Sequence, residues 1–212
     1  MEIVKRIVEG LEQGDREAVR LGVREAIERR VESASILEQG LVAGMNVVGE
    51  RFRSHEIFLP EVLLAARAMT AGMELLEPLL VRDAVPGRGK IVLGSVRGDL
   101  HDIGKNLVGI LLRGAGFKVI DLGHDVPAQR FVETAEREGA GVIGLSALLT
   151  TTMAGMGRVV DLVERRGLRE RVRIIVGGAP VSAAFAHEIG ADAYGFDAAN
   201  AVERVRTLTG AS

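Results

Sequence analysis

From Lys90 onward, short apolar segments alternate with amphipathic ones, and this alternation restricts the possible folds more than any other feature of the sequence. The apolar segments lie at Ile91–Val96, Lys118–Asp121, Val142–Ser146, Arg173–Val176 and close to Ala193. The amphipathic segments predict helices at Gly104–Gly114, Ala128–Glu138, Thr151–Arg166, Ser182–Ile189 and Ala198–Leu208. Strands this rich in valine, isoleucine and leucine are typical of a sheet buried on both faces. Five βα units therefore predict a doubly wound parallel sheet in an α/β fold.

Residues 1 to about 80 have helical periodicity throughout. Ile7 and Leu11 fall on one face of a first predicted helix. Asp15 follows a break in this pattern and is a suitable N-cap for the second helix. A third apolar pattern follows, and Pro60 stands where a fourth helix should begin. Four short helices predict a small bundle.

The two patterns meet at Arg82–Gly89, a segment that contains Pro86 and two glycines. This composition predicts a linker, and a hinge if the two parts move. We therefore predict a helical cap domain over residues 1–85 and an α/β domain over residues 90–212.

Composition excludes several classes of function. The chain has no cysteine, which rules out disulfides, thiolate metal ligands and a cysteine nucleophile. Its formal net charge is −2, so no overall positive field favours nucleic acid. The sequence has no apolar segment of about 18 residues, as a membrane span requires, and its N-terminus has no apolar signal sequence. We expect a cytoplasmic protein that binds neither nucleic acid nor membranes.

The first candidate site is the loop Gly98–Asn106, which follows the first predicted strand. Ligands of parallel sheets bind beyond the carboxyl ends of the strands, where this loop lies. Asp99 and His101 are two residues apart, so the carboxylate can reach one ring nitrogen and raise the basicity of the other. That pairing suits a metal ligand or a general base, and Gly104 lets a bulky group approach the backbone. A solvated or structural histidine is the alternative interpretation.

Two further segments end strands on the same edge. After the third strand, hydroxyl side chains that can bind amides or phosphate oxygens occur at Ser146, Thr150, Thr151 and Thr152. Helix capping by Thr150 or Thr151 is the alternative. After the fourth strand, Gly177 and Gly178 would let a ligand approach the backbone closely, although an ordinary turn also explains a glycine pair.

Together these segments resemble the signature of corrinoid (cobalamin)-binding domains, which have a flavodoxin- or Rossmann-like fold. The matching segments are Asp-x-His-x-x-Gly at 99–104, Ser-x-Leu at 146–148 and Gly-Gly at 177–178. Their order and spacing are also similar, with 41 residues between Gly104 and Ser146 and 28 between Leu148 and Gly177.

The N-terminal part is similar to the helical cap of cobalamin-dependent methionine synthase and of the small corrinoid proteins of methanol and methylamine methyltransferase systems. The matching segments are Gly44–Phe52, Phe58–Glu61 and Ala65–Met69. The resemblance thus extends over nearly the whole chain.

The resemblance implies a cobalamin or other corrinoid bound with its nucleotide base displaced and His101 as lower axial ligand of cobalt. Asp99 would bond the far ring nitrogen of His101, and Thr152 would stand where methionine synthase has a serine. A hydrogen-bonded series of Thr152, Asp99 and His101 can take up or release a proton when the bond between His101 and cobalt changes.

The resemblance also implies contacts with the rest of the cofactor. The nucleotide tail would lie against Ser146, Leu148, Thr150, Gly177 and Gly178. Other loop residues placed near the cofactor are Gly98, Leu100, Asp102, Ile103 and Gly104. In the cap, Phe58 and Leu63 are candidates for contact with the methyl-bearing face, with ordinary bundle packing as the alternative.

The resemblance further implies a non-catalytic, methyl-carrying subunit. It would accept a methyl group on cobalt from a substrate:corrinoid methyltransferase and pass it to a corrinoid:acceptor methyltransferase, whose acceptor is coenzyme M or tetrahydrofolate. A reductive activation protein would be a third partner. The sequence does not distinguish methanol, methylamines and aryl methyl ethers as donors.

Three other interpretations compete with the carrier. Corrinoid domains with a similar cap also act as adenosylcobalamin-dependent regulators, but those carry a DNA-binding module and a tryptophan, and this chain has no tryptophan. A mutase cobalamin subunit lacks the methyl-transfer type of helical cap. A nucleotide-binding flavodoxin-like module would need a phosphate-binding glycine array after the first strand, and Gly98–His101 is not one.

Overall fold

The computed structural model describes residues 2–85 and 87–210. Met1, Ala211 and Ser212 lie outside the described residues, as does Pro86 of the predicted linker. The backbone divides into two compact units. One comprises Met1–Gly87 with Arg113–Gly116, and the other comprises Arg88–Leu112 with Phe117–Ser212.

The first unit is helical. Its elements are α1 (Glu2–Glu12), α2 (Arg16–Glu28), α3 (Ser33–Ser35), a π-helical segment (Ile36–Val42), α4 (Ala43–Arg53) and α5 (Leu59–Arg82). Asp15 caps α2 by accepting a hydrogen bond from the Ala18 amide, and Pro60 lies in the first turn of α5, both as predicted. The core of the unit includes the fully buried side chains of Ile7, Leu11, Val19, Leu41 and Leu76. No helix within residues 2–85 and 87–210 has both the length and the apolar character needed to cross a membrane.

The third helix differs from a regular helix in its middle. It runs from α3 to α4 but widens into the π-helical segment Ile36–Val42. A π-helical turn places residues five apart on one face, which aligns Ile36 with Leu41 and Leu37 with Val42. All four side chains are buried, so the π-helical segment packs its apolar side chains into the core of the unit.

The second unit is the predicted doubly wound sheet. Its elements are β1 (Lys90–Ser95), α6 (Ile103–Gly114), β2 (Lys118–Asp121), α7 (Ala128–Glu138), β3 (Val142–Ser146), α8 (Ala154–Arg165), β4 (Arg173–Gly177), α9 (Ala183–Glu188), β5 (Ala193–Gly195) and α10 (Ala198–Thr209). The strands are parallel, in the order β2-β1-β3-β4-β5. Most predicted boundaries agree to within one residue.

The start of α8 is the exception. The sequence predicts a helix from Thr151, but α8 begins at Ala154 and has Met153 as its N-cap, with no side-chain capping bond. Leu148 to Thr152 instead form turns, because two of their amides and the Thr152 hydroxyl bond the carboxylate of Asp99. Capping of α8 by Thr150 or Thr151 is therefore wrong.

The two faces of the sheet differ in how they are filled. One face packs against α7 and α8 in a core that includes Phe131, Ile143, Met156 and Ile174. On the other face, at the carboxyl edge, four paired neighbours are all small: Ser95, Ser146, Gly177 and Gly195. This row of small residues leaves a cavity between the sheet, α6 and α10.

Candidate functional site

The loop after β1 is held in place from both ends. Gly98 has a φ of 85°, a left-handed conformation that glycine adopts readily. Its amide donates to Asp125 Oδ1 over 2.7 Å, and the Asp125 amide donates to the Asp99 carbonyl over 3.0 Å. The fully buried Ser95 donates its hydroxyl proton to the carbonyl of His101 over 2.7 Å. The main chain around His101 is thus fixed by the protein alone.

Asp99 is the centre of the site. It is fully buried, and its two carboxylate oxygens accept five hydrogen bonds. Oδ1 accepts from Nδ1 of His101 over 2.9 Å and from the His101 amide over 3.1 Å. Oδ2 accepts from the amides of Leu148 and Leu149 over 2.7 and 3.2 Å, and from the Thr152 hydroxyl over 2.7 Å. The loops after β1 and β3 therefore meet at one carboxylate.

The pKa of Asp99 lies well below its ordinary value. Burial opposes ionisation, but the hydrogen bonds from Thr152, Leu148 and His101 stabilise the charged form and outweigh it. Asp99 is therefore an ionised acceptor at neutral pH, and it has no proton to donate.

This charge state fixes the tautomer of His101. An ionised carboxylate only accepts hydrogen bonds, so Nδ1 of His101 must carry the proton and Nε2 keeps its lone pair in the neutral ring. The side chain of His101 is 52% exposed, whereas that of Asp99 is inaccessible. The pair thus presents an oriented nitrogen donor, as in the histidine–carboxylate pairs that bind metals.

The cavity beside this loop is a slot of about 310 Å³, named here the tail slot. Its lining combines apolar side chains with the small residues of the sheet edge: Ile91, Leu93, Gly104, Lys105, Val108, Leu112, Gly144, Leu145, Ser146, Ile175, Val176, Gly177, Gly178, Ala179, Gly195, Phe196, Asp197, Ala201 and Val205. Of the predicted residues, Gly104, Ser146, Gly177 and Gly178 line it, whereas Leu148 and Thr150 do not. Both of the latter are exposed.

The glycine pair also has a structural role. Gly178 has a φ of 127°, and a Cβ there would lie 1.9 Å from the Ala147 carbonyl oxygen. A Cβ at Gly177 would lie 2.9 Å from the carbonyl oxygen of Gly195. The backbone therefore requires glycine at 178, and the absence of a side chain at 177 keeps the tail slot open.

Large apolar side chains are exposed beyond three strands of this edge, in the loops and at the first residue of α6. They are Leu100 and Ile103 after β1, Leu148 and Leu149 after β3, and Phe196 after β5. Ile103 is 76% exposed and Leu100 is 67% exposed. Exposed apolar residues grouped at one edge commonly mark a binding surface. Asp102 is half-buried and accepts the Asn106 amide through its carbonyl.

The two predicted cap residues lie in the helical unit, described by itself. Phe58 is the N-cap of α5 and is 64% exposed, and its amide donates to Glu61 Oε2 over 3.0 Å. Leu63, one turn further along α5, is 37% exposed.

The sequence interpretation missed several residues that build the site. Ser95 and Asp125 hold the loop, and Leu149 donates its amide to Asp99. Lys105 is buried, and its Nζ bonds both carboxylate oxygens of Asp121 at 2.7 Å and Asn106 Oδ1 at 2.6 Å. A lysine within the otherwise apolar start of α6 is a signal that could have been used, since lysine is rarely buried unpaired. Ser95 and Asp125 carry no such signal in the sequence.

Comparisons with known proteins identify the family of the chain. The family model of the B12 binding domain matches residues 89–206, and a second B12 binding domain model matches residues 3–77. The chain is 44% identical over 208 residues to dimethylamine corrinoid protein 2 of Methanosarcina mazei, covering 98% of this chain and 97% of that protein.

Solved structures give the same result. The methanol:cobalamin methyltransferase complex of Methanosarcina barkeri matches with a TM-score of 0.88 and 32% identity, over 100% of this chain and 81% of that one. A cobalamin-binding protein of Desulfitobacterium hafniense matches with a TM-score of 0.79 and 32% identity, over 97% of this chain and 98% of that one. The predicted resemblance is confirmed: the chain belongs to the B12-binding family of corrinoid proteins.

Proposed function

We propose that this protein carries a methyl group on the cobalt of a bound corrinoid and presents it to partner methyltransferases. The observation that carries the proposal is the oriented His101 nitrogen at the same sheet edge as the tail slot. When bound, the corrinoid supplies a cobalt centre that accepts and releases the methyl group. The chain's own residues bind and orient that centre.

The residues present fit a corrinoid. Nε2 of His101 is free of the bond to Asp99 and would supply the nitrogen ligand that such a cofactor needs once its own base is displaced. The tail slot is mostly apolar, as an uncharged aromatic base requires. The exposed apolar residues Leu100, Ile103 and Leu148 can cover the lower face of a macrocycle. A larger cleft of about 630 Å³ is lined by charged side chains, among them Arg97, Arg158, Arg165 and Asp161, and lacks the mostly apolar wall that such a base requires.

The proposed residue roles follow from these contacts. His101 would hold the cobalt, and Asp99 and Thr152 would keep its ring in the tautomer that leaves Nε2 free. Ser146, Gly177 and Gly178 line the space for the nucleotide tail, whereas Leu148 and Thr150 are exposed and do not line it. The remaining loop residues from Gly98 to Gly104 would contact the corrinoid around His101. We also propose that Phe58 and Leu63 cover the methyl-bearing face, since exposed apolar side chains are suited to that task.

The partners belong to the same proposal. The solved relative named as a methanol:cobalamin methyltransferase complex supports a substrate:corrinoid methyltransferase as first partner. The dimethylamine and trimethylamine corrinoid proteins among the relatives make methylamines the first donors to test. A corrinoid:acceptor methyltransferase and a reductive activation protein complete the cycle. We further propose the domain division at 1–85 and 90–212, with Arg82–Gly89 as hinge.

The test is the visible absorption spectrum of the protein with methylcobalamin, for wild type, His101→Ala and His187→Ala. His187 is an exposed histidine in the last turn of α9 and serves as the matched control. We expect a base-off, His-on spectrum for wild type and His187→Ala, and its loss in His101→Ala. An unchanged spectrum in His101→Ala would overturn the proposed ligand, and the absence of bound corrinoid in wild type would overturn the function.

A further inference from the structure

The inner wall of the tail slot offers a ligand almost no hydrogen-bonding groups. The side chains facing the cavity below the sheet edge are aliphatic, and they come from β1, β4, α6 and α10: Ile91, Leu93, Val108, Leu112, Ile175, Ala201 and Val205. Gly144 adds no side chain, and the strand amides and carbonyls at this level are paired within the sheet. A ligand group deep in the slot therefore meets hydrocarbon.

The few polar side chains in the lining are mostly engaged. All three protons of Lys105 Nζ are directed to oxygens of Asp121 and Asn106. Asp197 accepts the Asn200 amide as the N-cap of α10. Ser146, at the carboxyl end of β3, is the remaining polar side chain that lines the slot. One hydroxyl can satisfy one or two ligand atoms, but not a whole polar heterocycle.

We infer that the tail slot selects corrinoids whose nucleotide base is apolar, of the benzimidazole type, over those with an adenine base. This inference rests on the proposed function, because it assumes that the displaced base enters the slot. Both kinds of base expose one freed ring nitrogen when they leave cobalt. Adenine adds two further ring nitrogens and an amine, whereas dimethylbenzimidazole adds two methyl groups in the same region.

The physical reason is desolvation. Methyl groups gain from burial against valine, leucine and isoleucine side chains. The extra nitrogens and the amine of adenine lose their water and find no partner on the aliphatic wall. Leaving even one such polar group unsatisfied should weaken binding by about tenfold or more.

The experiment titrates the cofactor-free protein with cobalamin and with adeninylcobamide, following the change from base-on to His-on absorption. Adenine leaves cobalt more easily than dimethylbenzimidazole, so each dissociation constant is corrected for the base-off equilibrium of the free corrinoid, measured by acid titration. We expect corrected binding of cobalamin to be tighter by about tenfold or more. Equal corrected binding, or a preference for adeninylcobamide, would overturn the selectivity. If neither corrinoid gave a His-on spectrum, the proposed function would fail, and the selectivity with it.

A pair of variants locates the effect on the slot wall. Val108→Thr adds a hydroxyl to the half-buried α6 side of the slot at nearly constant shape, and Val108→Ala removes volume without adding a polar group. Both corrinoids are titrated into each variant. The difference between their base-off equilibria is therefore the same for both variants, and it cancels when the two preferences are compared. We expect Val108→Thr to narrow the preference for cobalamin several-fold relative to Val108→Ala. Identical preferences in the two variants, both correctly folded by thermal melting, would show that this wall does not discriminate between the bases.

Discussion

Replacing Asp99 by asparagine should make Nε2 of His101 unable to bind a metal, although the histidine itself is unchanged. The carboxylate accepts two bonds through Oδ1 and three through Oδ2, all from donors. An asparagine amide has only one oxygen, so its NH₂ group must face one of these two sets. The outcome depends on which placement costs less.

The two placements can be compared by counting unsatisfied groups. If NH₂ faces Leu148 and Leu149, the part-buried amides of both residues lose their acceptor, although Thr152 can turn its hydroxyl to the Leu149 carbonyl 2.8 Å away. At about 1–3 kcal/mol each, this placement costs about 2–6 kcal/mol. If NH₂ faces His101, only the His101 amide is left without an acceptor, at about 1–3 kcal/mol. The ring then accepts at Nδ1 and must carry its proton on Nε2, where no lone pair remains for a metal.

We therefore expect Asp99→Asn to fold, to lose about 1–3 kcal/mol of unfolding free energy, and to bind corrinoid without the His-on spectrum. Chemical denaturation gives the stability, and ¹⁵N NMR of the imidazole gives the tautomer in the cofactor-free protein. Asp161→Asn, at an exposed carboxylate of α8 outside this loop, is the matched control. A variant that kept the Nδ1-protonated ring and bound corrinoid through His101 as tightly as wild type would refute the reasoning.

Four further predictions follow from the same contacts. Thr152→Ala removes a bond to a charged carboxylate and should cost about 1.5–3 kcal/mol in chemical denaturation, whereas Thr152→Ser should cost clearly less; equal losses would contradict a role for the hydroxyl. Gly178→Ala should cost at least about 2 kcal/mol because of its close contact with Ala147, whereas Gly167→Ala, at φ 67° in open space, should cost only about 1 kcal/mol. Ser95→Ala should weaken His-on corrinoid binding about fivefold in spectral titrations, since the His101 carbonyl loses its anchor; unchanged affinity would remove Ser95 from the support of the loop. Because the folded pKa of Asp99 is depressed below its ordinary value of 3.8, its stabilisation is present above that pH and is lost as the pH falls towards the folded value. Acid denaturation below about pH 4 should therefore be steeper for wild type than for Asp99→Asn.

Much of the fold was predictable because its signals are local. The strands are short apolar segments, and the helices between them have clear periodicity, so the sheet and most boundaries follow from the sequence. The π-helical segment at Ile36–Val42 was not predictable, since the same apolar residues also fit an α-helical pattern. The start of α8 was misplaced because the segment before it is organised by Asp99, which lies about 50 residues earlier in the chain.

The contacts of the candidate site were also predictable only where they are local in the sequence. Asp99 and His101 are two residues apart, and their pairing could be anticipated from that spacing. Thr152 could be placed near them only through the family resemblance, because two strands and two helices lie between it and Asp99 in the chain. The side chains of Ser95 and Asp125 bond main-chain groups of the loop, at His101 and Gly98. No pattern of residue types in the sequence predicts such contacts.

The most direct test of the central claim is the electron paramagnetic resonance spectrum of the protein with bound cobalt(II) corrinoid, prepared with and without ¹⁵N-labelled histidine. A nitrogen on the cobalt axis splits the signal, and the pattern differs between the two nitrogen isotopes. If His101 is the ligand, labelling the protein changes the splitting, and His101→Ala abolishes the change. A splitting unaffected by the label would mean that the nitrogen belongs to the corrinoid's own base, and it would contradict the account.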